Sequence, residues 1–223
     1  ETSPVIAVNS FERVKIGTVG HVLDNLDVKI QADGEITVKG PSVFQGYYKD
    51  EEKTKEAFTE DGFFMTGDIG HIDAEGFLHI TDRKKEMFKT SGGKYVAPQV
   101  LENLAKGSKF IEQIMVVGDG EKMPCALVQP DYAFAKLWAE RKHLKIGKTP
   151  EEMANSPELK ARIMKDINLL NATLGKWEQI KKIELTPTLW TIEDGLLTPT
   201  MKLKRKAVKE KFFNLYEKLY DRA

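Results

Sequence analysis

The sequence has one cysteine, no surplus of charge of either sign and no long apolar run, and each shortage removes a class of protein. Cys125 alone rules out an intramolecular disulfide framework and suits a reducing compartment, so the chain is expected to be cytoplasmic. Lys plus Arg and Asp plus Glu both number 34, a net charge of zero that gives no reason to expect nucleic acid as a partner. No segment approaches the roughly 20 apolar residues of a membrane helix. That excludes a transmembrane segment and leaves room for peripheral membrane contact. His21, His71, His79 and His143 stand apart without metal-ligand spacing, so surface or packing roles are expected for them. The phosphate-binding pattern Gly-x-x-x-x-Gly-Lys-Ser/Thr is missing, as are internal repeats and low-complexity tracts. The chain opens Glu1-Thr2-Ser3-Pro4 with neither initiator Met nor signal peptide, which suggests processing or truncation.

What is present is a chain of 223 residues, 41% hydrophobic and 30% charged, consistent with a packed core. Val28 and Ile30 alternate with Asp27 and Lys29, Ala32-Asp33-Gly34 turns the chain, and 35–39 continues with period two. Residues 73–76 form another turn before Phe77-Leu78-His79-Ile80. Small antiparallel sheets or a barrel-like unit are expected over this first third, with one exposed helix over 50–58. Beyond Asp82-Arg83-Lys84-Lys85-Glu86 the pattern changes. Ser91-Gly92-Gly93 reads as a glycine hairpin tip, and Pro98 opens a helix with Val100, Leu101 and Leu104 on one face. Strands are expected over 111–117 and 125–128, and helices around 131–142, 157–172 and 204–220. The fold class is therefore α+β, with a polar joint near Asp82.

Three strings carry chemistry. Phe63-Phe64-Met65-Thr66-Gly67-Asp68-Ile69-Gly70 is followed by Asp82-Arg83. Lys84-Lys85-Glu86-Met87-Phe88-Lys89 precedes Gly92-Gly93 and Val96-Ala97-Pro98, and Leu197-Thr198-Pro199-Thr200-Met201-Lys202 lies near the end. Taken singly, Thr66-Gly67-Asp68 reads equally as an ordinary turn, Lys89 nearly equally as a solvated lysine, and Lys202 as one of several lysines opening a basic helix. In this order and at these distances the strings resemble the adenylate-forming superfamily of acyl-CoA synthetases, luciferases and adenylation domains. The wording from Lys84 to Pro98 is especially similar to long-chain fatty acyl-CoA synthetases, and the long connection over 143–196 points the same way.

The resemblance implies the following roles. Asp68 accepts both ribose hydroxyls of ATP, as an ionised carboxylate can, and Arg83 assists it. Asp82 is the hinge between a large N-terminal and a small C-terminal domain. Gly92 or Gly93 lies beside the pantetheine of coenzyme A, and Lys89 serves thioester formation. Lys202 is the adenylation lysine, a cation where two anions must meet. Glu1 matches the Glu that helps hold Mg2+. The implied organisation is the β-rich end of the large adenylation domain over 1–82 and a small mobile α+β lid with a three-stranded sheet over 83–223. Fatty acid, ATP and coenzyme A are the implied substrates. The phosphate loop and acyl tunnel would lie in an upstream N-terminal domain, so the fragment is expected to be inactive alone. Two other readings stay open: a different adenylate-forming ligase, aryl- or amino-acid-activating or luciferase-like, and a non-catalytic interaction module of the same fold.

Overall fold

The computed structural model describes residues 1–222. The chain divides into two compact units, Glu1–Met87 and Phe88–Ala223. The division falls after Asp82, which itself lies within a strand.

The first unit is an antiparallel six-stranded sheet in the order β1-β2-β6-β5-β4-β3. Its strands are β1 (Ala7–Val8), β2 (Gly20–Val22), β3 (Asp27–Ile30), β4 (Glu35–Lys39), β5 (Phe64–Ile72) and β6 (Phe77–Arg83). The β3–β4 hairpin turns where the Asp33 side chain accepts from the Glu35 amide and Gly34 takes a positive φ of 87°. α1 (Glu51–Glu56) buries no residue and is capped by Asp50, as its polar composition predicts. Leu26, Val38 and Phe64 form the core of this unit, with Phe44 and Phe58 packed onto them. Gly70 permits the close β5–β6 approach: a Cβ there would lie 2.0 Å from the His79 carbonyl oxygen. The histidines are not all solitary. His71 and His79 stack at 4.5 Å, and His79 Nε2 lies 3.0 Å from Asp73 Oδ2. Among the described residues no cluster of metal-ligating side chains occurs, and no helix is long and apolar enough to cross a membrane.

The second unit begins with a two-stranded ribbon, β7 (Phe88–Lys89) and β8 (Tyr95–Val96), and continues into α2 (Pro98–Ala105). β9 (Ile111–Val117) and β10 (Cys125–Pro130) pair antiparallel, and β11 (Ile183–Leu185) joins β10 in parallel, giving the three-stranded order β11-β10-β9. The β10–β11 crossover contains α3 (Tyr132–Lys142), α4 (Pro150–Ala154) and α5 (Pro157–Asn171), each started by a side-chain cap: Asp131, Thr149 and Ser156. α6 (Arg205–Lys211) and α7 (Phe213–Leu219) close the chain.

β10 is buried on both faces, and its period-two alternation divides the unit into two cores. Ala126 and Val128 face one cluster with Phe88, Val96, Leu101 and the α5 stripe Leu159, Ile163, Ile167. Cys125 and Leu127 face the other, with Trp190, Leu197, Val208 and Phe212.

Two local expectations change. The helix expected over 204–220 is broken at Phe212, whose torsions (φ −110°, ψ 33°) leave the helical region while its buried ring stacks toward Trp190. In α2 the buried side is Pro98, Leu101, Glu102 and Ala105, and Leu104 is 49% exposed. A buried carboxylate has displaced a leucine because Glu102 has partners inside the unit, described below.

Candidate functional site

In the first unit the sequence brings Asp68 and Arg83 face to face. They are register partners on β5 and β6, and Arg83 Nε donates to Asp68 Oδ1 at 2.7 Å. The strand preceding Asp68 is kinked by Gly67, whose φ is 73°. That kink is held from three directions. Thr66 Oγ1 donates to the Ile36 carbonyl and accepts from the Asp68 amide, the Gly67 amide donates to Glu35 Oε1, and the Lys84 amide donates to the Gly67 carbonyl.

Glu35 was not visible as a site residue in the sequence, where it looks like the polar end of a strand. It is buried, and its second oxygen accepts from Lys84 Nζ at 2.7 Å. Lys84 also pairs with Asp33; these two carboxylates hold its ammonium above the usual lysine value, and Lys84 in turn draws Asp33 below the ordinary carboxylate value. The turn that presents Asp68 is thus braced by buried charge rather than left as a free loop. Asp82, 1% exposed, pairs with Ile69 in the ladder, and its Oδ1 accepts from the Arg83 amide at 2.6 Å.

Asp68, Arg83, Glu35 and Lys84 line one wall of a cleft of about 590 Å³ within this unit. Glu1 and Tyr47 line it too, with the Tyr47 hydroxyl donating to Glu1 Oε1 at 3.1 Å. The cleft therefore offers acceptor carboxylates at Glu1 and Asp68 and cations at Arg83, Lys84 and Lys85.

In the second unit Lys202 and the glycine pair occupy two hairpin tips of one design. Gly93 N donates to the Thr90 carbonyl and Thr90 N to the Lys94 carbonyl. Met201 N likewise donates to the Thr198 carbonyl and Thr198 N to the Lys202 carbonyl. In each tip the threonine hydroxyl accepts from the amide of the closing lysine. Gly93 and Met201 share the left-handed position, at φ 79° and 61°. Each tip is a three-residue loop ending in a left-handed residue, the geometry that closes a tight hairpin. Through Phe88 and Val96 the glycine tip is rooted in one core of the unit, and through Leu197 the Lys202 tip is rooted in the other. Lys202 is exposed, as is Lys89, whose ammonium lies 5.6 Å from the Tyr95 ring centroid.

The two glycines are not equivalent. Gly93 needs its positive φ, whereas Gly92 does not, and a Cβ on Gly92 would meet only Thr90 Oγ1 at 3.9 Å. Gly93→Ala should cost about 1 kcal/mol of stability, and Gly92→Ala should be neutral within about 0.5 kcal/mol. Thermal unfolding of the two variants checks this, and equal losses would contradict the hairpin geometry.

The fold recurs within solved adenylation domains. The A domain of a carboxylic acid reductase from Segniliparus rugosus, solved with AMP and a co-purified carboxylic acid, superposes with a TM-score of 0.69 at 25% identity, covering 91% of this chain and 32% of that one. The adenylation domain of a carboxylate reductase from Mycobacterium chelonae gives a TM-score of 0.66 at 30% identity, covering 84% of this chain and 28% of that one. Residues 86–223 match the AMP-binding enzyme C-terminal domain family, and the chain belongs to that family. A long-chain-fatty-acid–CoA ligase of Mycobacterium bovis is 42% identical over 222 residues, covering 100% of this chain and 37% of the ligase. The chain thus spans little more than a third of the length of that relative.

Proposed function

We propose that the chain is the C-terminal part of an AMP-forming ligase that joins a long-chain fatty acid to coenzyme A through an acyl-adenylate. The observation that carries this reading is the 42% identity to a long-chain-fatty-acid–CoA ligase along the whole chain. The Asp68–Arg83 pair on the cleft wall and the exposed Lys202 on its hairpin tip supply side chains suited to the roles that reading needs.

In the first half-reaction a fatty-acid carboxylate oxygen attacks the α-phosphorus of ATP, forming the acyl–phosphate bond as pyrophosphate leaves. Asp68 holds the two ribose hydroxyls as a shared acceptor, and Arg83 keeps its carboxylate oriented. Lys202 donates to the oxygens on which negative charge accumulates. In the second half-reaction the coenzyme A thiol, having lost its proton, attacks the acyl carbonyl and AMP leaves. The glycine tip lets the pantetheine approach the backbone closely, and Lys89 lies beside it. Asp82, at the end of β6, is the hinge about which the second unit turns between the two steps.

Glu1 suits the Mg2+ role. Mg2+ commonly takes one or two protein carboxylates and fills its remaining positions with water and phosphate oxygens. Glu1 provides such a carboxylate in the cleft, oriented by Tyr47. When bound, the ion neutralises charge on the triphosphate.

The test is product analysis of the full-length enzyme given a long-chain fatty acid, Mg2+, ATP and coenzyme A. The expected products are AMP, pyrophosphate and acyl-CoA in equal amounts. Release of ADP, or AMP formation independent of fatty acid, would overturn the proposal.

A further inference from the structure

Lys202 reaches solvent from a short hairpin, and a flexible hairpin would place its ammonium poorly. A part-buried linkage braces the base of that hairpin. Arg205, three residues beyond Lys202, opens α6 and extends its guanidinium to α2. There Nη2 donates to both carboxylate oxygens of Glu102, at 2.7 and 2.8 Å. Glu102 is buried and also accepts from the Val116 amide at 2.7 Å, while Arg205 Nη1 donates to the Val116 carbonyl at 3.2 Å. β9 is an edge strand of the three-stranded sheet, and the ion pair satisfies its outward-facing amide and carbonyl at Val116 as a neighbouring strand would.

The position of this clamp gives it its meaning. On one side, Lys204 N donates to the Leu196 carbonyl and Leu197 bridges Leu203, so fixing Arg205 fixes the base of the Lys202 tip. On the other side, Glu102 belongs to α2, which follows β8 after one residue, and β8 is an arm of the glycine hairpin. The glycine tip is itself tied to the β9–β10 turn, where Ser91 N donates to the Glu121 carbonyl and Gly120 N to the Lys89 carbonyl. The two tips are thus tied to one frame, and the Glu102–Arg205 pair joins the elements that carry them.

We infer that Glu102 and Arg205 are positioning residues for Lys202, setting the place of its ammonium through the clamp at Val116. The inference rests on the adenylation role proposed for Lys202. An ion pair largely withdrawn from water, with side-chain exposures of 25% and 10%, adds little net stability compared with apolar packing, and this geometry fits a role in specifying one conformation. Lysine could not replace Arg205 at this point, because only the planar fork reaches two carboxylate oxygens and a carbonyl together.

The experiment is a double-mutant cycle in the full-length enzyme, read as fatty-acid-dependent pyrophosphate exchange. Arg205→Lys, which keeps the charge and loses the fork, should lower kcat for adenylation about 10-fold with the KM for ATP unchanged. Arg205→Met should lower it about 30-fold. In a Lys202→Ala background neither should cause further loss, because a residue acting through Lys202 has nothing left to position. Thioester formation from supplied acyl-adenylate should stay within about twofold in Arg205→Lys. A loss by Arg205→Lys that is equal in both backgrounds would overturn the inference and make the clamp purely structural. If Arg205→Met fails to fold, Arg205→Lys alone decides, since an unchanged kcat there also defeats the inference. If Lys202→Ala itself leaves pyrophosphate exchange intact, the underlying role of Lys202 fails instead, and that result is distinguishable from a failed cycle.

Discussion

In the full-length ligase, Lys202→Ala is expected to slow acyl-adenylate formation by about 2–4 orders of magnitude, corresponding to about 3–5 kcal/mol of transition-state stabilisation. The size follows from the chemistry of the step. A carboxylate and a triphosphate repel each other, and charge redistributes onto oxygens that water would solvate poorly in a closed site. An ammonium on a fixed stem offsets that repulsion without reorganising. Lys202 meets the geometric condition: its tip is closed by Thr198, its base is paired at Leu197–Leu203, and its side chain is exposed. Thioester formation from supplied acyl-adenylate should remain nearly unchanged. The glycine tip proposed for this second step is rooted in the opposite core of the unit from the Lys202 tip. Measuring pyrophosphate release and acyl-CoA formation separately tests the assignment. Equal damage to both steps would return Lys202 to a structural lysine.

Local signals carried much of this site. Glycine positions, the Thr-Gly-Asp string and the lysine near the end are short-range patterns, and through the family resemblance they pointed to Asp68, Arg83, the Gly92–Gly93 pair and Lys202 as the candidates. The helices over 131–142 and 157–171 and the β3–β4 hairpin were legible from short-range patterns too, whereas α4 was not read. What could not be read locally depends on partners far along the chain. Glu35 supports Gly67 from an adjacent strand, and Glu102 is buried because Arg205 meets it from more than one hundred positions away. A helix-face count treats every glutamate as outward-facing, so it assigned Leu104 to the interior in place of Glu102. The kink at Phe212 has a similar origin: the periodicity of 204–220 runs through it, and the buried Trp190–Phe212 stack belongs to the tertiary packing. A buried charge is the sequence feature that periodicity reads worst, and here two of them brace the residues proposed to do the chemistry.

The second large effect is expected at Asp68. Its salt bridge with Arg83 is partly open to solvent, with side-chain exposures of 22% and 57%, so the pair itself should contribute no more than about 1 kcal/mol to folding. Asp68→Ala should therefore leave thermal stability nearly unchanged: the β5–β6 ladder continues on backbone bonds, and Glu35 and Lys84 still hold Gly67. Nucleotide binding is a different matter. Two ribose hydroxyls would lose one ionised acceptor, and each hydrogen bond to a charged group is worth about 1.5–3 kcal/mol. Because the two bonds share one carboxylate, their sum is less than additive, and a total of about 2–4 kcal/mol is expected. That corresponds to a rise of about 30- to 1,000-fold in the KM for ATP. The ribose contact is made equally in the ground and transition states, so kcat should fall far less than KM rises. The KM for coenzyme A should not move. Asp68→Asn, which keeps one acceptor oxygen and loses the charge, should lie between wild type and alanine. ATP saturation curves for the three proteins, with thermal melts beside them, check the assignment. A variant with lowered stability and unaltered ATP saturation would make Asp68 a structural partner of Arg83 and move the ribose site elsewhere in the cleft.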